Sequence, residues 1–372
     1  ITTMRLIILN NNLKEALRSI EGGTGDNLNL PILKNIIIKT EDNKINFSAT
    51  NLELAISYWA SGKIIEEGSL TVPFNIFSNI VNNLTTERIT LESKDFNLLI
   101  KTDNYEAAVQ GLNSEDFPII PKTSNTDKYI KINSGVFKNA LLKIINSIQY
   151  SEIRPEINGC LFSYQIDYLR LAGTDSFRLA EKNITPDQFK SNFEEGFEII
   201  LPLKTIQEIL RVIPSDSELD IFINQNQVFF KTNELEIISR LIDGKFPDYQ
   251  SIVPQELKTE LVINKAELVS ALKLTSVFSG RVNEIKLKIG ENKKFLEIYS
   301  ADSALGENHY LLPIKTNGDN LAISFNYKYL LDGLKSPEDK EIIFGFNSDN
   351  QPAIIKSPAD KNWFYVLMPI KS

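Results

Sequence analysis

Asn10-Asn11-Asn12-Leu13-Lys14-Glu15-Ala16-Leu17-Arg18-Ser19-Ile20 reads as an asparagine-led amphipathic helix, and the chain writes the phrase again at Asn133 to Ile144 and at Asn264 to Thr275. Leu13, Leu17 and Ile20 fall on one face at helical spacing, as do Val136, Ala140, Leu141 and Ile144 in the second phrase. The three starts lie close to a third of the 372-residue chain apart. Such a period predicts one domain in three copies. Repeated domains build extended or closed surfaces rather than a single catalytic cleft.

Other landmarks keep the same order. Leu30-Pro31-Ile32-Leu33, leading into a strand, is echoed by Arg154 to Gly159 and more faintly by Arg281 to Leu287. Ala49-Thr50-Asn51-Leu52 matches Gly173-Thr174-Asp175-Ser176 and Ser300-Ala301-Asp302-Ser303. Strand-to-helix junctions are read at Leu70 to Phe74, Ile199 to Leu203 and Leu321 to Phe325, with Pro202 and Ser324 where helices begin. Asp116-Phe117-Pro118 closes the first copy, Phe246-Pro247-Asp248 the second, and Tyr365 to Ile370 the third. Runs of β-formers such as Ile36-Ile37-Ile38, Leu98-Leu99-Ile100 and Val228-Phe229-Phe230 read as strands. Each copy therefore has two helices and several strands. The fold class is α+β with antiparallel sheets, in three repeated domains at 4–125, 126–254 and 255–372.

Composition narrows the function. With 42% hydrophobic and 24% charged residues, each copy can bury an ordinary core. No apolar run reaches the roughly 18–20 residues that span a bilayer, and no signal peptide is read at the start. Ile1-Thr2-Thr3, ahead of Met4, is left outside the fold. The one cysteine, Cys160, sits among Gly159, Leu161 and Phe162 and reads as an inert core thiol in a reducing cytoplasm. The net charge of −8 speaks against tight grip on phosphates, but not against loose encirclement of DNA, since the local field depends on where the charges sit.

A search for chemistry returns little. The one histidine, His309, has no cysteine partners, so neither a zinc site nor any other metal or cofactor is expected. Glu21-Gly22-Gly23-Thr24-Gly25-Asp26 lacks the Lys-Ser/Thr of a phosphate loop. Asp175, within Thr174-Asp175-Ser176-Phe177-Arg178, is the best acid candidate, yet its counterparts Asn51 and Asp302 point to a turn that holds backbone or Arg178. No catalytic residue is assigned. Positive charge recurs instead on the polar sides of the helices: Lys14, Arg18, Lys138, Lys143, Lys204 and Arg211, then Lys265, Lys273 and Lys328. A shared basic face of that kind would meet phosphates without reading bases.

These residues resemble the bacterial sliding clamp, the beta subunit of DNA polymerase III, over essentially the whole length from Met4. The resemblance is carried by Leu30-Pro31-Ile32-Leu33, Asn158 to Phe162, Gly173 to Ala180, Asp243 to Tyr249, Asn326 to Asp332 and Tyr365 to Ile370. It implies a head-to-tail homodimer closing into a ring of six domains, with helices lining the bore and sheets outside. Such a ring encircles duplex DNA without sequence specificity and is a processivity factor, a non-catalytic subunit that tethers a polymerase. It also implies a hydrophobic cleft between the middle and last domains for short peptides of polymerase, clamp loader and repair proteins. By position its lining is Ile157, Thr174, Ser176, Phe177, Arg178, Leu179, Pro247, Ile252, Tyr329, Val366, Met368, Pro369 and Ile370. The DNA set is Lys14, Arg18, Lys138, Lys143, Arg154, Lys204 and Arg211, and the ring seam sets Ala107 and Val109 near Val277 and Phe278 of the other copy.

The chain departs from the family pattern at several points. Ser176-Phe177 stands where Gly-His is common, and Ile370-Lys371-Ser372 where Met-Arg-Leu is common. Asn27 replaces a loop arginine, while Glu152, Pro155 and Glu156 precede Ile157 in place of polar and aromatic groups. Ala107 is small for a seam residue. Two rival readings are a repeat scaffold that binds peptides but never DNA, and an enzyme built on Asp175 and Arg178.

Overall fold

A computed structural model describes residues 4–41, 43–123 and 127–371. Ile1 to Thr3, Asp42, Ser124 to Thr126 and Ser372 lie outside the described residues. The described chain holds six α-helices: α1 (Asn10–Ile20), α2 (Phe74–Asn83), α3 (Ser134–Ile144), α4 (Leu203–Val212), α5 (Lys265–Thr275) and α6 (Tyr327–Gly333). The three helical phrases of the sequence are α1, α3 and α5. Leu13, Leu17 and Ile20 are buried as the spacing requires. In α3 the apolar face is centred on Phe137, Ala140, Leu141 and Ile144, whereas Val136 is half-buried. Cys160 is fully buried beneath its strand, and burial pushes its thiol far up, which makes it inert.

The three repeats group by packing into two compact units. One comprises the residues up to Gly135 with Lys190–Phe193 and Gln207–Leu241; the other comprises Val136–Phe189, Glu194–Ile206 and the chain from Ile242 onward. Sheet pairing is the reason. In the first unit a nine-stranded antiparallel sheet runs Phe189–Ser191, Ile130–Asn133, Glu218–Ile223, Gln227–Lys231, Leu235–Arg240, Leu54–Ala60, Lys44–Thr50, Asn35–Glu41, Ser69–Pro73. Middle-repeat strands thus join first-repeat strands at Leu235–Arg240 against Leu54–Ala60. The second unit repeats the design in the order Phe197–Pro202, Gly159–Gln165, Tyr168–Thr174, Arg178–Ile184, Trp363–Leu367, Ala353–Lys356, Glu341–Phe346, Thr259–Asn264, Lys315–Asn317. Its joint is Arg178–Ile184 against Trp363–Leu367. The first unit also has a five-stranded sheet ending in Glu106–Gln110, and the second a four-stranded sheet ending in Gly306–Pro313.

The repeated Asn/Asp corners share one side-chain cap, the third on a hairpin one residue longer. The Asn51 Oδ1 accepts from the amides of Glu53 and Leu54, the Asp175 Oδ1 from Phe177 and Arg178, and the Asp302 Oδ1 from Ala304 and Leu305. This is the Asx geometry that lets a short polar side chain replace backbone pairing at a tight turn. Leu52 and Ser176 hold the same left-handed φ of 76°.

One junction is corrected. Ser324 lies inside the strand Ala322–Asn326, buried and paired with Lys286, and does not begin a helix. Asn326 caps α6, its Oδ1 accepting from the Lys328 amide. The residues aligned with Pro73 and Pro202 are thus two positions further on. The Leu-Pro-Ile-Leu phrase is a 3-10 turn over Pro31–Lys34, with the strand starting at Asn35, because Pro31 presets the turn φ and contributes no amide.

Candidate functional site

At the joint of the second unit, Leu179 faces Val366 across the strands, each about 1% exposed. They belong to an apolar cluster with Leu161, Ala172, Ile200, Phe246, Tyr249 and Ile354. The segment Phe246 to Ile252 packs over this patch and leaves a cavity of about 120 Å³. Its rim is Arg154, Ser176, Phe177, Pro247, Asp248, Ile252 and Met368, over a floor of Thr174, Arg178, Leu179, Tyr249 and Val366. The Met368 amide donates to the Phe177 carbonyl at 2.8 Å, which carries the chain end along the turn.

Arg178 ties this site together. Only 9% exposed, it donates from Nε to the Asp175 Oδ2 at 2.9 Å, donates from a terminal nitrogen to Asp332, and lies 4.4 Å over the Tyr329 ring. Burial works against its charge, but Tyr365, Asp332 and Asp175 outweigh it and push the guanidinium further up. Asp175 is therefore engaged by a turn and an ion pair. Phe177 is 59% exposed and stacks at 6.3 Å on Tyr329, so the ring extends the rim as an apolar wall. Tyr249 donates to the Glu181 Oε2 at 2.6 Å, fixing the segment that roofs the floor.

Of the residues assigned to the cleft from sequence, nine converge here: Thr174, Ser176, Phe177, Arg178, Leu179, Pro247, Ile252, Val366 and Met368. Four do not line it. Ile157 is buried, Tyr329 stands behind Phe177 and Arg178, Pro369 is buried, and the Ile370 amide donates to the Ser324 carbonyl at 2.8 Å. Asp248 and Tyr249 also line the cavity, beyond the residues expected from sequence, within the family-like stretch Asp243 to Tyr249. Arg154, assigned to DNA, is at the rim instead. It donates to the Glu156 Oε1 at 3.0 Å and to the Ser176 hydroxyl at 2.9 Å, a turn its neighbour Pro155 starts.

The basic residues divide into exposed and engaged. Arg18 and Lys204 are exposed on α1 and α4, and Lys14 is half-buried with its Nζ donating to the Leu84 carbonyl. Lys138 is half-buried, and burial pushes its ammonium down. Lys143 is engaged within the protein: it lies 2.5 Å from Asp360, which also takes Lys182 at 2.6 Å. Arg211 is engaged as well. It pairs with Glu208 and donates to the carbonyls of Arg18 and Ser19, so it ties α4 to the end of α1. The third repeat adds a groove of about 530 Å³ between α5 and α6, where Lys265, Lys273, Lys328 and Lys335 surround Val269, Leu331 and Leu334. Helix α2 carries no charged residue. Asn27 turns onto its own loop, accepting from the Asn29 amide.

The Asp360 triad gives a stability test. Burial opposes its charge, yet Lys143 and Lys182 hold its carboxyl below the usual range. The stabilisation is therefore present above the ordinary carboxylate range and lost as pH falls through the lowered value. Asp360→Asn should cost about 3 kcal/mol of unfolding free energy, because two largely buried ammonium groups lose their counter-charge. Urea titration followed by fluorescence checks it, with the deficit disappearing in acid.

Ala107 and Val109 lie on the edge strand Glu106–Gln110, Val109 turned inward and buried. Val277 and Phe278 form a 3-10 turn after α5, with Val277 64% exposed; Leu274 and Leu305 are exposed as well. Among the described residues, no three His, Cys, Asp or Glu side chains converge as metal ligands, and no helix is long and apolar enough to cross a membrane.

Comparison with known proteins follows the three repeats. Family models for the DNA polymerase III beta subunit match residues 4–121 as its N-terminal domain, 131–248 as its central domain and 250–371 as its C-terminal domain. The chain belongs to the DNA polymerase III beta subunit family. The beta sliding clamp of Bacillus subtilis (strain 168) is 27% identical over 382 residues, covering 99% of this chain and all of that one. A beta sliding clamp of Staphylococcus epidermidis is 28% identical over 373 residues, covering 97% of each. The crystal structure of the Bacillus subtilis DNA polymerase sliding clamp superposes with a TM-score of 0.94 at 26% identity and full coverage of both chains. As a member of this clamp family, the chain is a processivity subunit of a replicative DNA polymerase and not an enzyme.

Proposed function

We propose that two copies close head to tail into a ring that encircles duplex DNA, slides on it, and holds polymerase, clamp loader and repair proteins by short peptides in the cleft around Leu179 and Val366. The observation that carries the ring is the strand count. Two sheets have nine strands, while the others have five and four and end in Glu106–Gln110 and Gly306–Pro313. These are the repeat counterparts of the strands that pair at the two internal joints. Joining the five-stranded edge of one copy to the four-stranded edge of the next would complete a third nine-stranded sheet. A contact between unlike surfaces either closes or propagates, and closure at two copies gives a ring. Ala107, Val109, Val277 and Phe278 would lie at that seam.

The domains of the ring are taken as 4–125, 126–254 and 255–372, and its compartment as the cytoplasm. Arg18, Lys204, Lys14 and Lys138 are the DNA-facing cations of the original set, joined by Lys273 and Lys328. The exposure of Arg18, Lys204, Lys273 and Lys328, with Lys14 and Lys138 half-buried beside them, suits sliding, since counterion release supplies affinity without fixing position. The gain to a tethered polymerase is effective concentration. Retention on circular DNA, loaded by a clamp loader and released when the circle is cut, tests encirclement; equal retention on both forms refutes it. Lys14, Arg18, Lys138 and Lys204 replaced together by Glu should weaken retention and flatten its salt dependence. An unchanged salt slope would mean those side chains face elsewhere.

The cleft suits an extended peptide with aliphatic or aromatic anchors. Its floor is apolar, its rim is polar, and Met368 and Phe177 can adjust to different anchors.

A further inference from the structure

The two internal joints obey one register. At the first, Ser239 pairs with Leu54, Ile237 with Ile56 and Glu236 with Ser57. At the second, Leu367 pairs with Arg178, Tyr365 with Ala180 and Phe364 with Glu181. Hairpin partners identify the matching positions elsewhere. Val109 faces Leu98 as Ser239 faces Val228 and Leu367 faces Ala353. Gly306 pairs with Asp302 at the third Asx corner, where Leu54 and Arg178 stand at the first two. On the premise of the closed ring proposed above, the same register sets Val109 of one copy against Gly306 of the next, Ala107 against Asn308, and Glu106 against His309.

Side-chain alternation agrees with that pairing. Val109 is buried on the helix side of its sheet, and the Asn308 side chain donates to the Leu274 carbonyl of α5. Glu106 and His309 therefore both project from the opposite, solvent face. On that face the His309 Nδ1 lies 2.7 Å from the Glu297 Oε1, and its ring sits 4.6 Å from that of Tyr299. Tyr299 in turn donates to Glu307 at 2.8 Å. Lys288 and Lys286 stand one strand further from the edge, opposite Glu297 and Tyr299. On the incoming strand Glu106 has Lys101 at 3.4 Å, which is also 3.9 Å from Glu92. Neither seam-forming strand carries a lysine or arginine, while each carries a glutamate.

We infer that His309, the one histidine of the chain, is the switchable cation of the ring seam, lying between Glu297 of its own copy and Glu106 of the next. A histidine that gains a carboxylate on association holds its proton more tightly in the ring than in the separated copy. Closure is then favoured while imidazoles are charged, and that contribution is lost as pH rises through the range where imidazoles discharge. Each ring has two such seams, so a small effect at one counts twice.

Sedimentation equilibrium at about pH 6 and about pH 8 tests this, with the dimer expected to be about fivefold tighter at the lower pH. His309→Gln should abolish the difference, and Glu106→Gln should reduce it. A pH ratio that survives His309→Gln overturns the inference. Register is tested separately by oxidising Ala107→Cys with Asn308→Cys, expected to cross-link the dimer, beside the offset pair Ala107→Cys with Tyr310→Cys, expected not to. A dimer that cross-links only through the offset pair also overturns it. A chain that stays monomeric at both pH values overturns instead the ring reading beneath it.

Discussion

Arg178→Ala is expected to lower the stability of the second unit by about 4 kcal/mol, leaving the first unit nearly untouched. Its guanidinium is the counter-charge to Asp175, whose side chain is 4% exposed, and it also satisfies Asp332. Removing it leaves a buried carboxylate with only the amides of Phe177 and Arg178 as partners. Arg178→Lys should recover little, because a single ammonium cannot reach two carboxylates and cover the Tyr329 ring with one planar fork. Calorimetry is the measurement. The transition that reports the second unit, which contains buried Trp363, should move down in temperature while the other holds. Unchanged melting would mean that the network contributes nothing.

Met368→Asp should weaken a peptide with two apolar anchors by at least about 100-fold, without changing the mass of the ring. The substituted carboxylate would sit beside Leu179 and Val366, where a bound anchor would strip its water and offer no cation in return. Arg154, the nearest rim cation, is already engaged by Glu156. A substitution is a cleaner test than truncation from Met368. The backbone there is held by Phe177 and, two residues on, by Ser324, so truncation would release strand-end pairing as well as the rim. Fluorescence polarisation with a labelled peptide, alongside sedimentation, separates the two effects; retained affinity would remove Met368 from the cleft.

Much of the fold was legible because its signals are local. The apolar spacing of Leu13, Leu17 and Ile20 needs only its own helix, and the Asn51, Asp175 and Asp302 corners need only the next few amides. The cleft floor was placed through family resemblance. From the residues alone, Leu179 and Val366 read as ordinary strand positions until a pairing brings them together.

What was not legible has a different cause. Lys143 has the sequence context of a solvated helix lysine, but its partner Asp360 lies 217 residues away. Arg211 looked equally free, and is spoken for by carbonyls on α1. Helix periodicity gives the face of a cation and not its counter-ion. The Ser324 error arose because the strand Ala322–Asn326 and its cap shift by two residues against the proline-marked junctions. The three repeats hold, but backbone hydrogen bonds at the joints cross their boundaries and group them into two packed units, a property no window of sequence reports.

That crossing bears on how the gene could be dissected. Scissors applied at the periodic seams of the text would shear through ladders and bare raw borders on every fragment: Leu54–Ala60 on one piece, Leu235–Arg240 and Arg178–Ile184 on the next, Trp363–Leu367 on the last. Such borders recruit whatever extended chain drifts past, so isolated thirds should gum together where the intact polypeptide stays clear.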